Sequence, residues 1–103
     1  MQIQINTDHN IDGREALNRH VESVAGQGLA RFREHVTRLE IHLSDQNAGK
    51  GGPADKSCVI EARLEGRPPV AVTHHAQTLH QAVSGAAEKL ARLLDSRLGR
   101  GAP

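Results

Sequence analysis

The final stretch of the chain carries the side chains best suited to bind an anion. In AAEKLARLLDSRLGR, residues 86–100, four cations follow one another at helical spacings: Lys89, Arg92, Arg97 and Arg100. Such a row could bind phosphates, and a guanidinium does so through two parallel hydrogen bonds. Cations in the last turn of a helix also complement the helix dipole, so an ordinary solvated surface is the alternative explanation. Spacing alone leaves both explanations open.

A second group of guanidiniums lies on or just after a predicted first helix and is interleaved with Glu15, Glu22 and Glu34: Arg14, Arg19, Arg31, Arg33 and Arg38. The chain has ten Arg and three Lys, yet its formal net charge is only +1. A polyanionic partner would therefore have to recognise where the charges lie, because their sum is too small to attract it.

The elements that position these side chains are four strands and two helices. Apolar residues alternate with polar ones in QIQIN, in LEIHL, from Cys58 to Glu65 and near VAVTH, and period-two alternation predicts half-buried strands. Apolar residues recur every three or four positions from Asp12 to AGQG and again from about Ala76 to Gly99, which predicts helices. Asp12 and Glu15 fit a capping box at the first helix.

This order predicts a two-layer α+β domain, β-α-β-β-β-α, with a four-stranded mixed sheet and both helices on one face. It spans residues 1–100, and residues 101–103 form a short tail. Helical spacing places six residues of the last helix opposite or beside its apolar stripe and pairs Glu88 with Arg92: Gln81, Gly85, Glu88, Lys89, Arg92 and Ser96.

Composition excludes several classes of protein. The single cysteine, Cys58, cannot form an intrachain disulfide, and no apolar run reaches membrane-spanning length, so we expect a cytoplasmic protein. Phe32 is the only aromatic residue, which argues against recognition of unpaired bases by stacking. Cys58 lies on the apolar side of its strand and is expected to be a buried thiol. No acid, base and nucleophile occur together, so we expect neither catalysis nor a cofactor.

Seven histidines raise the alternative of a zinc site. His74, His75 and His80 lie near the start of the last helix, and His9 could approach them from a loop. Zinc takes three or four ligands in tetrahedral geometry, and HHAQTLH matches no recognised ligand spacing. Scattered surface histidines are therefore favoured, and no metal is expected. His75 could instead gain a charge below about pH 6.5 and strengthen phosphate contact.

The order of elements and the last helix resemble the ribosome hibernation-promoting factor family, the ribosome-associated translation inhibitors. Their last helix carries a pattern close to Tyr-x-Ala-Ile-Asp-x-x-x-Asp-Lys-Leu-x-Arg-x-Leu. HQAVSGAAEKLARLL matches it at six positions: Ala82, Val83, Lys89, Leu90, Arg92 and Leu94. MQIQI, EAL, Phe32, Val36 and LEIHL add to the likeness, which spans about residues 1–100. His80 replaces the Tyr, Ser84 replaces an Asp, and the usual Lys-rich end is thinner here.

The resemblance implies a short-form protein with a fold similar to double-stranded RNA-binding domains. It would occupy the decoding channel of the small ribosomal subunit and keep idle ribosomes inactive under stress or in stationary phase. The implied rRNA-binding residues are Lys89, Arg92, Arg97, Arg100, Arg19, Arg31, Arg33 and His75. The expected partner is the small subunit with its rRNA, without DNA or membrane. A monomer is expected, with a weak homodimer as the alternative state, and a protein-interaction module that has lost ribosome binding is the alternative function.

Overall fold

The computed structural model describes residues 1–8, 14–45 and 56–98 of the 103-residue chain. The described elements follow the predicted order: β1 (Gln2–Thr7), α1 (Arg14–Gly28), a short 3-10 turn (Ala30–Phe32), β2 (Val36–Asp45), β3 (Lys56–Leu64), β4 (Val70–Ala76) and α2 (Leu79–Leu98). The α+β prediction is confirmed.

The four strands form one mixed sheet in the order β1-β2-β3-β4. β1 runs parallel to β2, whereas β2, β3 and β4 pair antiparallel. The register pairs apolar residues of neighbouring strands with one another, so that Ile41 lies opposite both Ile5 and Ile60. Because side chains alternate across a strand, this register places the apolar residues of β2 and β3 on one face. The predicted alternation of these strands is confirmed.

Both helices cover the apolar face of the sheet. The core between the layers is built from aliphatic side chains such as Leu39, Ile60 and Leu90, which are fully buried, and Phe32 joins it from the 3-10 turn. The outer sheet face is polar and carries ion pairs of Arg38 with Glu40 and of Arg63 with both Glu40 and Glu61. Neither helix within the described ranges is long and apolar enough to cross a bilayer.

Two helix boundaries have a local explanation. α2 begins at Leu79, three residues after the predicted start, because Ala76 still belongs to β4. The Thr78 hydroxyl caps the helix by accepting a hydrogen bond from the Gln81 N–H at 3.0 Å. α1 ends at Gly28, as the two glycines of AGQG predicted. The predicted cap at Asp12 lies outside the described residues.

Gly85 lies beside the apolar stripe of α2, one of the two placements that helical spacing allowed, and it is half-buried against β4 rather than exposed to solvent. The inner face of β4 includes His74, whose ring packs directly against the backbone of α2 at Gly85. A side chain at this position would overlap the ring, so only a glycine allows this approach of helix to strand. This flank of α2 therefore faces the edge of the sheet at β4.

Candidate nucleic-acid interface

The two helices run side by side in the same direction and present their outer surfaces together. Their first halves meet where the rings of His20 and His80 are in contact, tilted by 41° with centroids 3.8 Å apart. Their last turns meet where Arg31, just after α1, binds Asp95 of α2. Cations from both helices therefore lie on one layer of the molecule. We call this outer surface of α1, the 3-10 turn and α2 the helical surface.

Arg31 lies on the helical surface, but its charge is already balanced. Its guanidinium donates two hydrogen bonds to the Asp95 carboxylate, at 2.5 and 3.0 Å, and lies 4.3 Å from the centre of the Phe32 ring. The hydrogen bond to Asp95 raises the pKa of Arg31 above its ordinary value. Any phosphate that binds Arg31 must compete with this carboxylate.

Lys89 also makes an intramolecular contact. Its ammonium donates a hydrogen bond to the backbone carbonyl of Thr73, at 2.9 Å, at the outer edge of β4. An ammonium has three donors, so two remain for solvent or a ligand. Lys89 thus lies on the flank of α2 that Gly85 also occupies, beside the helical surface.

The other predicted cations of this layer are less constrained. Within the described part of the chain, four exposed guanidiniums make no side-chain hydrogen bond or ion pair: Arg19, Arg33, Arg92 and Arg97. The predicted pair between Glu88 and Arg92 does not form, although both residues are exposed on α2. Free guanidiniums retain all five donors for phosphate oxygens.

Arg67 is a further cation beside the end of α2, and the sequence reasoning missed it. It lies in the β3–β4 turn, after Gly66, whose φ of +73° requires a glycine. Its guanidinium donates a hydrogen bond to the backbone carbonyl of Arg97 at 2.7 Å, in the last turn of α2. The contact satisfies a carbonyl that the helix cannot pair internally. No periodic pattern marks Arg67, because only the tertiary fold brings its turn to the end of α2.

His75 is not brought together with the other predicted residues. It is exposed on the outer face of the sheet, where it lies opposite Ser57 of β3. Alternation along β4 sends His74 inward and His75 outward, so His75 faces away from the helical surface. Arg100 lies outside the described residues.

Comparison with known proteins identifies the fold and the family. A search of the curated proteins found no match. The N-terminal domain of Protein Y from Thermus thermophilus is a structural match, with a TM-score of 0.73 and 22% sequence identity, covering 94% of this chain and 99% of that domain. A ribosomal subunit interface protein from Coxiella burnetii matches with a TM-score of 0.71 and 16% identity, covering 97% of this chain and all of that one. Residues 3–101 match the family described as "Sigma 54 modulation protein / S30EA ribosomal protein". The chain belongs to this family.

Members of the S30EA family are ribosome-associated regulators of translation rather than enzymes. The one thiol of this S30EA chain fits that assignment. Cys58 is fully buried on the inner face of β3, and burial raises its pKa to about 12. A thiol with so high a pKa stays protonated at neutral pH and is a poor nucleophile or metal ligand. Cys58 is therefore a core residue, as expected.

The three histidines of HHAQTLH do not converge on one site in this S30EA chain. His74 lies under α2, His75 lies on the opposite sheet face, and the ring of His80 contacts that of His20 on α1. The three histidine side chains of HHAQTLH thus lie in three different environments. Within the described residues no cluster of three or more metal-binding side chains occurs. His9, the fourth residue of the zinc alternative, lies outside them.

Proposed function

We propose that the protein binds the small ribosomal subunit through the helical surface and thereby inhibits translation on idle ribosomes in the cytoplasm. The observation that carries the proposal is the family match over residues 3–101, nearly the whole chain. One structural relative bears the name ribosomal subunit interface protein, which supports the same partner. The decoding channel, where messenger and transfer RNA lie, is the binding site that the proposal adds.

The chemistry of the helical surface supports contact with the rRNA backbone rather than with bases. The chain has no Trp or Tyr, and its one Phe is buried in the core, so unpaired bases have no large aromatic ring on which to stack. Guanidiniums suit phosphate oxygens, with which they form paired hydrogen bonds. Recognition would then depend on phosphate positions and on the shape of the RNA.

The number of free guanidiniums sets how steeply rRNA binding should depend on salt concentration. Arg19, Arg33, Arg92 and Arg97 have no partner among the described residues, whereas Arg31 binds Asp95. Four phosphate contacts predict that the logarithm of the binding constant falls with the logarithm of the salt concentration at a slope of roughly −3 to −4. His75 could add to this only if rRNA also reached the outer sheet face.

The outer sheet face offers a matched control for the helical surface. Arg92 and Arg97 are free and exposed on α2, whereas Arg38 and Arg63 are paired with carboxylates on the sheet. Arg92→Gln with Arg97→Gln removes two positive charges from the helical surface. Arg38→Gln with Arg63→Gln removes the same charge from the opposite side of the molecule. Net charge is therefore equal in the two variants.

The experiment is co-sedimentation with vacant small subunits over a range of salt concentrations. We expect the α2 variant to bind more weakly and its salt slope to be shallower by roughly 1.8, whereas the sheet variant should keep the original slope. Equal losses in both variants would mean attraction by net charge alone. Absence of binding by the unmodified protein at any salt concentration would refute the proposal and favour a protein-interaction module of the same fold.

A further inference from the structure

The last turn of α2 and the β3–β4 turn enclose a depression between them. It has a volume of about 200 Å³, and five residues line it: Leu64, Arg67, Pro68, Val70 and Arg97. Two of the five carry a guanidinium, and the other three are apolar. No carboxylate lines the depression within the described part of the chain. Two like charges therefore border one small space without an acidic residue between them.

The acidic residues that lie near these two arginines in the sequence do not neutralise them. Asp95, two residues before Arg97, is bound by Arg31. Glu65, two residues before Arg67, is exposed outside the depression and forms no ion pair among the described residues. Like charges repel one another, and an anion placed between them is attracted by both. The depression is therefore suited to a negatively charged ligand.

Arg67 is held in position before any ligand binds. Gly66 before it has a left-handed backbone, and Pro68 after it disfavours a helical backbone at Arg67 itself. Its hydrogen bond to the Arg97 carbonyl, at 2.7 Å, fixes the guanidinium at the end of α2. That bond uses one of five donors and covers a carbonyl at the negative end of the helix dipole. A side chain fixed in this way loses little entropy when it binds a ligand.

We infer that this depression binds a short segment of the rRNA backbone, one ribose with the phosphate on either side. Arg97 binds one phosphate and Arg67 binds the next, each through paired hydrogen bonds. The ribose lies over the apolar floor of the depression, which consists of Leu64, Pro68 and Val70. The inference rests on the proposed function and extends its site around the end of α2 onto the β3–β4 turn.

The composition of the depression favours a sugar–phosphate backbone over a free anion. A small anion would contact both guanidiniums but would leave the apolar floor exposed to water, whereas a ribose covers part of it. The depression also adjoins the helical surface, because Arg97 belongs to both. Arg92, Arg97 and Arg67 follow one another toward and past the end of α2. An RNA strand bound along α2 can therefore continue onto the turn.

The first test is Arg67→Gln in co-sedimentation with vacant small subunits over a range of salt concentrations. Loss of one phosphate contact should make the salt slope shallower by roughly 0.9, so affinity should fall about 3.5-fold less between 50 and 200 mM salt. Arg67→Lys keeps the charge and should keep the slope. Arg63→Gln is the matched control, because it removes the same charge from an exposed arginine of β3 on the outer sheet face. Its slope should equal that of the unmodified protein.

A purely structural role of Arg67 predicts a different result. If Arg67 only capped α2, Arg67→Gln would lower the stability against urea and leave the salt slope of the folded protein unchanged. Some loss of stability is expected in either case, because the hydrogen bond to the helix end is lost. Urea unfolding of each variant therefore accompanies the binding measurement, and the salt slope decides between the two roles.

A second test distinguishes the RNA backbone from a free anion. The protein is labelled for NMR at the Arg side chains and at the Leu and Val methyl groups. A short RNA duplex should shift the side-chain N–H signal of Arg67 together with the methyl signals of Leu64 and Val70. Inorganic phosphate should leave the methyl signals in place, because it does not reach over the apolar floor.

The possible failures point to different causes. If Arg67→Gln keeps the slope while the α2 variant loses it, the rRNA stops at α2 and this inference alone is refuted. Equal changes in Arg67→Gln and Arg63→Gln would mean attraction by net charge, which also refutes it. Methyl shifts with inorganic phosphate but not with RNA would make the depression a site for a small anion. If the unmodified protein does not bind small subunits at any salt concentration, the proposed function fails and this inference fails with it.

Discussion

Replacement of Gly85 by alanine should destabilise the protein, against the usual effect of Gly→Ala in a helix. The added Cβ would overlap the imidazole ring of His74, and even the more distant Cγ would be only 2.7 Å away. Ala favours a helix over Gly by about 1 kcal/mol, whereas overfilling a packed site costs about 1–3 kcal/mol. The free energy of unfolding should therefore fall by roughly 0–2 kcal/mol.

The matched control is Gly26→Ala in the last turn of α1. There the nearest atom to the added Cβ is Cδ1 of Ile3, at 3.9 Å, an ordinary contact distance. This variant should be more stable by about 0.5–1 kcal/mol, because only the helix propensity changes. Urea unfolding of both variants at unchanged m-value measures the difference.

Removal of the ring should reverse the sign at Gly85. In a His74→Ala background, Gly85→Ala should stabilise the protein about as much as Gly26→Ala does. The coupling free energy of this double-mutant cycle should be roughly 1–3 kcal/mol. If Gly85→Ala already stabilises the protein with His74 in place, the reasoning fails, and α2 is not held at a fixed distance from β4.

Two further predictions concern single side chains. Asp95→Asn should release Arg31 for phosphate, so the salt slope of ribosome binding should become steeper by about 0.9. Between 50 and 200 mM salt, this means a loss of affinity about 3.5-fold larger than that of the unmodified protein. An unchanged slope would mean that Arg31 does not contact rRNA. Cys58, whose pKa burial raises to about 12, should not react with Ellman's reagent at pH 8 in the native protein and should react fully in urea. Rapid reaction without urea would show that the core of β3 opens readily.

The sequence contained enough to predict the elements and the layers. Period-two alternation in β2 and β3 and the helical stripe of α2 are direct consequences of burial on one side, and a single chain displays them. Alternation could also have placed His75 correctly. Val70 is buried and Val72 partly so, which sends His74 inward and His75 to the outer sheet face.

Contacts between elements could not be predicted in this way. Helical spacing favoured an ion pair between Glu88 and Arg92, yet the pair that forms is Arg31 with Asp95, 64 residues apart. Spacing gives the direction of a side chain around its own helix but not the neighbour that it meets. Gly85 illustrates the same limit, because its environment depends on how closely β4 approaches α2.

The cations near α2 had two explanations, a structural role within the protein and the binding of phosphates, and apart from the double role inferred for Arg67 each explanation applies to different residues. Arg31 neutralises Asp95, Arg67 satisfies a carbonyl at the helix end, and Lys89 covers the β4 edge. Substituting any of these three residues should first change the folding stability or the self-association of the protein, because each substitution removes a contact within the protein. Arg92 and Arg97 make no such side-chain contact among the described residues, so their loss should change RNA binding with little effect on folding. Comparing urea stability with ribosome binding across the five variants would separate the structural cations from those that contact a partner.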